Sequence, residues 1–120
     1  MNKCTVIYPN GFFENSTIKE LVDSNCEIEM TFLPQMNFSV SPEFLIIAFE
    51  FVKSIAFSAS YDIMKHTLFS VVNQVKQNKS NETTITIIND GKRSQIKLSF
   101  EATEEQKEKL VDAAIQKLLS

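Results

Sequence analysis

Residues 44–57, FLIIAFEFVKSIAF, constrain this chain more than any other stretch: eleven of the fourteen are hydrophobic. A surface helix needs one apolar stripe, whereas this segment wound as a helix is apolar almost all round, interrupted only by Glu50, Lys53 and Ser54. Such a belt requires burial on several sides, by the rest of the domain, a second subunit or a partner. A membrane span needs about 20 apolar residues. This run is shorter and carries a Glu and a Lys, so a buried helix of a folded domain is expected.

The other apolar runs are read by their period. Residues 3–8 are β-branched and aromatic and close on Pro9-Asn10-Gly11, the pattern of a strand and its turn. Asn15-Ser16-Thr17 offers N-caps for a helix with Ile18, Leu21 and Val22 on one side. Residues 26–32 alternate, with Cys26, Ile28, Met30 and Phe32 against Glu27, Glu29 and Thr31, which predicts a strand with one dry and one wet face. Residues 34–40 read as a loop. Ser41-Pro42-Glu43 then supplies a hydroxyl cap, a proline at the first helical position and an early acid for the apolar helix. Ser58-Ala59-Ser60 breaks that helix from a second one reaching Asn78, with one continuous helix as the alternative.

Thr83 to Ile88 and Ser94 to Phe100 flank Asn89-Asp90-Gly91-Lys92, a type I′ hairpin signature. A turn at Asp90-Gly91 pairs Ile85 with Ile96, Ile87 with Ser94 and Thr83 with Leu98. It leaves Thr84, Thr86, Gln95 and Lys97 on the other face. Thr103-Glu104-Glu105-Gln106 is a capping box, and Leu110, Val111, Ala114, Ile115, Leu118 and Leu119 form the stripe of a closing helix. The order β-α-β-α-α-β-β-α predicts one α+β domain over 1–120, with a four-stranded sheet and helices packed on one face.

Several chemistries are disfavoured. A 43% hydrophobic and 22% charged composition is that of a folded globular chain. With one arginine, Arg93, among twelve basic residues and a net charge of −3, nucleic acid is not an expected partner. Gly11 and Gly91 are the two glycines, too few for a P-loop, a dinucleotide fingerprint or a nucleophile elbow. His66 stands without an adjacent nucleophile motif and reads as a surface histidine. Glu27 and Glu29 read as the wet face of a strand. Cys4 and Cys26 have neither CxxC nor metal-ligand spacing and read as strand-borne structural thiols. The N-terminal residues lack a signal-like apolar region. The expectation is a cytoplasmic protein with no catalytic residue, no cofactor, no metal and no membrane span.

The second half resembles the effector-associated constant component family of bacterial conflict systems. The pieces that carry the resemblance are FLIIAFEFVKSIAF, YDIMKHTLFSVVNQVK, TTITIINDGKRSQIKLSF and EEQKEKLVDAAIQKLL, over about residues 44–119, with NDGK as the one short motif. At the helix break, Ser58-Ala59-Ser60 stands where that family is rich in Gly, Ala and Arg. The resemblance implies a non-catalytic accessory protein acting beside an effector in anti-phage defence.

Together these readings predict a small protein that works by protein–protein interaction, as a homo-oligomer or an adaptor. A ligand-sensing or enzymatic domain with a pocket between helices and sheet is the alternative, as is a phage-encoded inhibitor or immunity protein. On the expected helix, Glu50, Lys53 and Ser54 share one side with Ile46, Ile47 and Phe57, while Ala48, Val52, Ile55 and Ala59 face the core. The predicted interface is therefore Ile46, Ile47, Glu50, Lys53 and Phe57.

Overall fold

The computed structural model describes residues 1–9, 11–35, 44–75, 82–99 and 101–119. Its elements are β1 (Lys3–Pro9), α1 (Asn15–Ser24), β2 (Glu29–Gln35), β3 (Phe44–Glu50), α2 (Phe57–Asn73), β4 (Thr83–Asn89), β5 (Lys92–Leu98) and α3 (Glu104–Leu119). The class is α+β, with five strands rather than the four expected. The order is β-α-β-β-α-β-β-α.

The difference lies in residues 44–57. The expected apolar helix is a strand, β3, followed by a turn in which the Ile55 amide donates to the Val52 carbonyl at 3.2 Å. The Val52 amide donates to Asn2 Oδ1 at 3.0 Å, which ties this turn to the start of the chain. Two isoleucines and two phenylalanines within seven residues suit a pleated strand, and β3 lies at the centre of the sheet, where both edges are paired. A continuous apolar run is what such a position produces, and over so short a length it is indistinguishable from a buried helix by periodicity. The expected helix start at residues 41–43 and most of the expected loop, residues 36–40, lie outside the described residues. Pro34, expected in that loop, belongs to β2.

The sheet order is β2-β1-β3-β4-β5. β1 is parallel to β2 and antiparallel to β3; β3 is parallel to β4, and β4 is antiparallel to β5. Two parallel β-α-β units, β1-α1-β2 and β3-α2-β4, thus lie side by side, pointing in opposite directions and stepping outward from the centre. A half-turn about the sheet normal exchanges the two units and leaves the faces of the sheet unchanged. Parallel crossovers are right-handed almost without exception, so both helices must fall on the same face. They do: Leu21 of α1, Leu68 and Val71 of α2, and Val111 and Ile115 of α3 join Val6, Ile47, Ile87 and Ile96 in one core.

The helices meet at their flanks. Tyr61 Oη donates to Asp112 Oδ1 at 3.1 Å, and Lys65 Nζ lies 3.3 Å from the same carboxylate, linking α2 to α3. That carboxylate raises the pKa of both Tyr61 and Lys65, chiefly through the hydrogen bond each makes to it. α2 begins at Phe57, not after Ser60; the Ser60 hydroxyl bonds back to the Phe57 carbonyl at 2.8 Å inside the first turn. The capping box of α3 is present and reciprocal: the Thr103 amide donates to Gln106 Oε1 at 2.9 Å, and the Gln106 amide to Thr103 Oγ1 at 3.2 Å.

The β4–β5 hairpin has the register read from its turn, including Ile85 opposite Ile96, Ile87 opposite Ser94 and Thr83 opposite Leu98. Asp90 and Gly91 take φ values of 50° and 76°, as a type I′ turn requires. A Cβ built on Gly91 meets nothing within 4 Å, so a side chain there is opposed by backbone conformation alone. Gly91→Val is accordingly expected to lower stability by about 1–3 kcal/mol, and Gly91→Asn by clearly less, because asparagine tolerates the left-handed region. Thermal unfolding followed by circular dichroism checks both; equal melting temperatures for wild type and the valine variant would contradict this account of the turn.

Candidate functional site

Strand alternation divides the sheet into two unlike surfaces. Cys4, Val6, Tyr8, Met30, Leu45, Ile47, Phe49, Ile85, Ile87, Ile96 and Leu98 point under the helices and are buried. The intervening residues point the other way, and no described element packs on them.

The pairing registers place this bare face in rows. One row runs Leu33, Ile7, Ile46, Thr86, Gln95 from β2 to β5. The next runs Thr31, Thr5, Ala48, Ile88, Arg93. At one end Lys3 stands between Glu29 and Glu50; at the other, Thr84 pairs with Lys97. Ile7, Ile46, Ala48 and Ile88 are partly exposed and Leu33 is 47% exposed. An apolar strip thus crosses four strands on the side of the sheet that the helices leave open. Charged residues border it on two sides, Lys3, Glu29 and Glu50 at one end of the strands and Arg93 and Lys97 on β5, all exposed.

The five residues of the predicted interface are scattered by this arrangement. Ile46 lies in the middle of the bare face and Glu50 at its rim. Ile47 does not belong to any interface: it is 0% exposed, facing the helices, because neighbours in a strand point to opposite sides. Lys53 and Phe57 are exposed in and after the turn that leads into α2, with Phe57 64% exposed, and they are not on the bare face. The helical wheel that joined them does not exist. Ile7, Leu33, Ala48 and Ile88 were missed. For Ile7 and Ile88 the signal was present in β1 and β4, where β-branched residues occupy both alternating sets rather than one.

Among the described residues, hollows lie elsewhere on the molecule, and two of them carry polar groups from more than one element. One, of about 460 Å³, opens at the carboxyl ends of the parallel strands β3 and β4. Phe49, Phe51, Lys53, Ser60, Asn89 and Asp90 line it. The Phe49 and Phe51 rings stack there, with centroids 5.7 Å apart and planes at 4°. The second, of about 250 Å³, lies between the end of α1 and α2, and Cys26, Glu27 and His66 contribute to its wall. Some of its polar groups serve the fold, although the buried Asn25 Oδ1 has no hydrogen-bond partner among the described residues. Buried Asn25 donates through Nδ2 to the Leu21 carbonyl at 2.7 Å and to Ser70 Oγ at 3.2 Å, while exposed His66 places Nε2 3.3 Å from the Ser24 carbonyl. Among the described residues, no three of His, Cys, Asp and Glu gather as a metal site would require, and no helix is long and apolar enough to cross a membrane.

Only one of the two cysteines is on a strand. Cys4 is in β1 and 1% exposed; Cys26 is in the turn before β2 and exposed, and both are free thiols. Neither a family model, nor a curated protein, nor a solved structure matches this chain.

Burial pushes the Cys4 thiol up from 9.0 to about 12. The folded state therefore holds a proton that the unfolded chain releases above about pH 9, so this group leaves stability unchanged below that pH and lowers it as pH rises toward 12. Alkylation of the native protein at neutral pH is expected to label Cys26 alone, with Cys4 reacting only after denaturation. Cys4→Ala is expected to flatten the alkaline loss of stability. Mass spectrometry and urea titrations at pH 8 to 10.5 check these outcomes; rapid native labelling of Cys4 would contradict its placement.

Proposed function

We propose that this protein acts by protein–protein interaction, without chemistry of its own, through the bare face of the sheet. The observation that supports the reading is the strip of Leu33, Ile7, Ile46, Ala48 and Ile88, apolar at its centre and charged at its rim. That is the anatomy of a binding patch, with a dry middle and a polar surround. Glu50 remains part of the proposed interface as a rim residue, and Lys53 and Phe57 do not. The resemblance to the effector-associated constant component family supports an accessory or adaptor role beside an effector, and with it a place in anti-phage defence within the cytoplasm. Its first matching piece, residues 44–57, is here mainly a strand and turn rather than a helix.

A second reading has the hollow at the ends of β3 and β4 in its favour. The stacked Phe49–Phe51 pair beside Lys53 and Asp90 offers both an apolar wall and charge to a small ligand.

Ile46→Lys with Ile88→Lys separates the two. Both side chains are replaced on the open face, so far-UV circular dichroism and the melting transition are expected to stay close to wild type. Co-purification with the products of neighbouring genes is expected to be lost. Retention of the same partner by the double variant, or its loss through Lys53→Ala alone, would contradict the proposal and favour the hollow.

A further inference from the structure

Both free edges of the sheet are unsuited to pairing with another strand. β2 carries Pro34, which has no amide hydrogen to give, and β5 carries Lys92, Arg93 and Lys97. Edge-to-edge growth is thereby discouraged, and an association that uses the sheet must use its face.

The size of that face fits a partner of the same kind. Five strands about 4.8 Å apart and seven residues long at about 3.3 Å per residue give a plan area of about 550 Å². Two such faces in contact bury about 1,100 Å² before side-chain relief is added, which passes the roughly 1,000 Å² expected of a specific interface.

The order of side chains on the face supplies the stronger argument. On each of the four strands β2, β1, β3 and β4, a large residue neighbours a small one in the two central rows: Leu33 with Thr31, Ile7 with Thr5, Ile46 with Ala48, Ile88 with Thr86. A two-fold axis in the plane of the face, perpendicular to the strands and midway between those rows, lays each strand on its own copy, running in the opposite direction. Every large side chain then meets the small neighbour of the other chain: Leu33 on Thr31, Ile7 on Thr5, Ile46 on Ala48, Ile88 on Thr86. Interdigitation of this kind is how the inner faces of packed sheets fill their shared layer. A face made for an unrelated partner has no need to be complementary to itself. A two-fold interface has no alternative.

We infer that this chain forms a two-fold homodimer by packing the bare faces of two sheets together, with β3 of one protomer crossing β3 of its partner at the centre. This rests on the interaction reading above and names the partner as a second copy.

Sedimentation velocity on the full chain, from about 1 to 100 µM, provides the test. Wild type is expected to shift from monomer to dimer over this range. Ala48→Ile places large on large, and is expected to weaken the dimer about tenfold or more. Ile46→Ala combined with Ala48→Ile exchanges large and small on β3 and is expected to restore most of it. Circular dichroism on each variant separates lost association from lost folding; if Ala48→Ile fails to fold, Thr86→Ile, at the small position of the other central row, gives the second reading of the pairing. A monomer at every concentration, a dimer that survives Ile46→Lys with Ile88→Lys, or an exchanged pair no better than Ala48→Ile alone would overturn the homodimer. A monomeric wild type whose Ile46→Lys, Ile88→Lys variant still loses a co-purifying partner would overturn the homodimer and leave the interaction reading standing.

Discussion

The antiparallel pairing of β1 with β3 at the centre of the sheet determines the rest of the architecture. In that register Val6 faces Ile47 and Cys4 faces Phe49 beneath the helices, while Ile7 faces Ile46 and Thr5 faces Ala48 on the open side. Each of these strands begins a parallel β-α-β unit that steps away from the other. Because the two strands run in opposite directions, right-handed crossovers place α1 and α2 on one side together. Had β1 and β3 been parallel, the same outward steps would have covered both faces, as in doubly wound folds. One pairing thus accounts for a core on one side of the sheet and, on the other, a face on which no described element packs.

The bare face is the larger consequence. Three helices bury most of the inward set of side chains, so stability does not require the outward set to be apolar. The outward residues of a solvated sheet are ordinarily polar, as Gln95 and Lys97 are on β5. On β1, β3 and β4 they are Ile7, Ile46, Ala48 and Ile88 instead. Apolar residues there add little to the monomer's fold, and they expose surface that water disfavours at roughly 25 cal/mol per Å². Their natural use is contact with another molecule, and the charged or proline-bearing edges direct that contact onto the face.

Much of this was legible in the sequence, and the exception is instructive. The register of the β4–β5 hairpin could be read because Asp90-Gly91 fixes a turn type and the turn type fixes a register, although β5 begins at Lys92 rather than Ser94. The capping box marked the start of α3, and the alternation over residues 26–32 marked β2, which begins three residues later, at Glu29, and ends at Gln35. Residues 44–57 misled because the feature that makes β3 central, apolar side chains on both faces, erases the alternation by which strands are recognised. The error then propagated: a helical wheel grouped Ile46 with Ile47, two residues the strand sends to opposite faces. What sequence reasoning did carry through was the demand that this segment be covered on more than one side. The helices satisfy half of that demand. Knowing which half needed the topology, since strand order and crossover handedness are set by pairings between residues distant in sequence.

The account stands on alternation about the β1–β3 pair, and substitution by threonine measures it with little disturbance of strand propensity. Six single variants suffice, studied in dilute solution by urea unfolding: Val6→Thr, Ile47→Thr and Ile87→Thr beneath the helices, and Ile7→Thr, Ile46→Thr and Ile88→Thr on the open face. A hydroxyl forced into the core without a partner is expected to cost about 2–3 kcal/mol, and one on an open face less than about 1 kcal/mol. The predicted result is therefore strict alternation between neighbours on all three strands. Equal losses at Ile46 and Ile47, or at Ile7 and Val6, would show that both faces are covered within one chain and would contradict the bare sheet from which the function is argued.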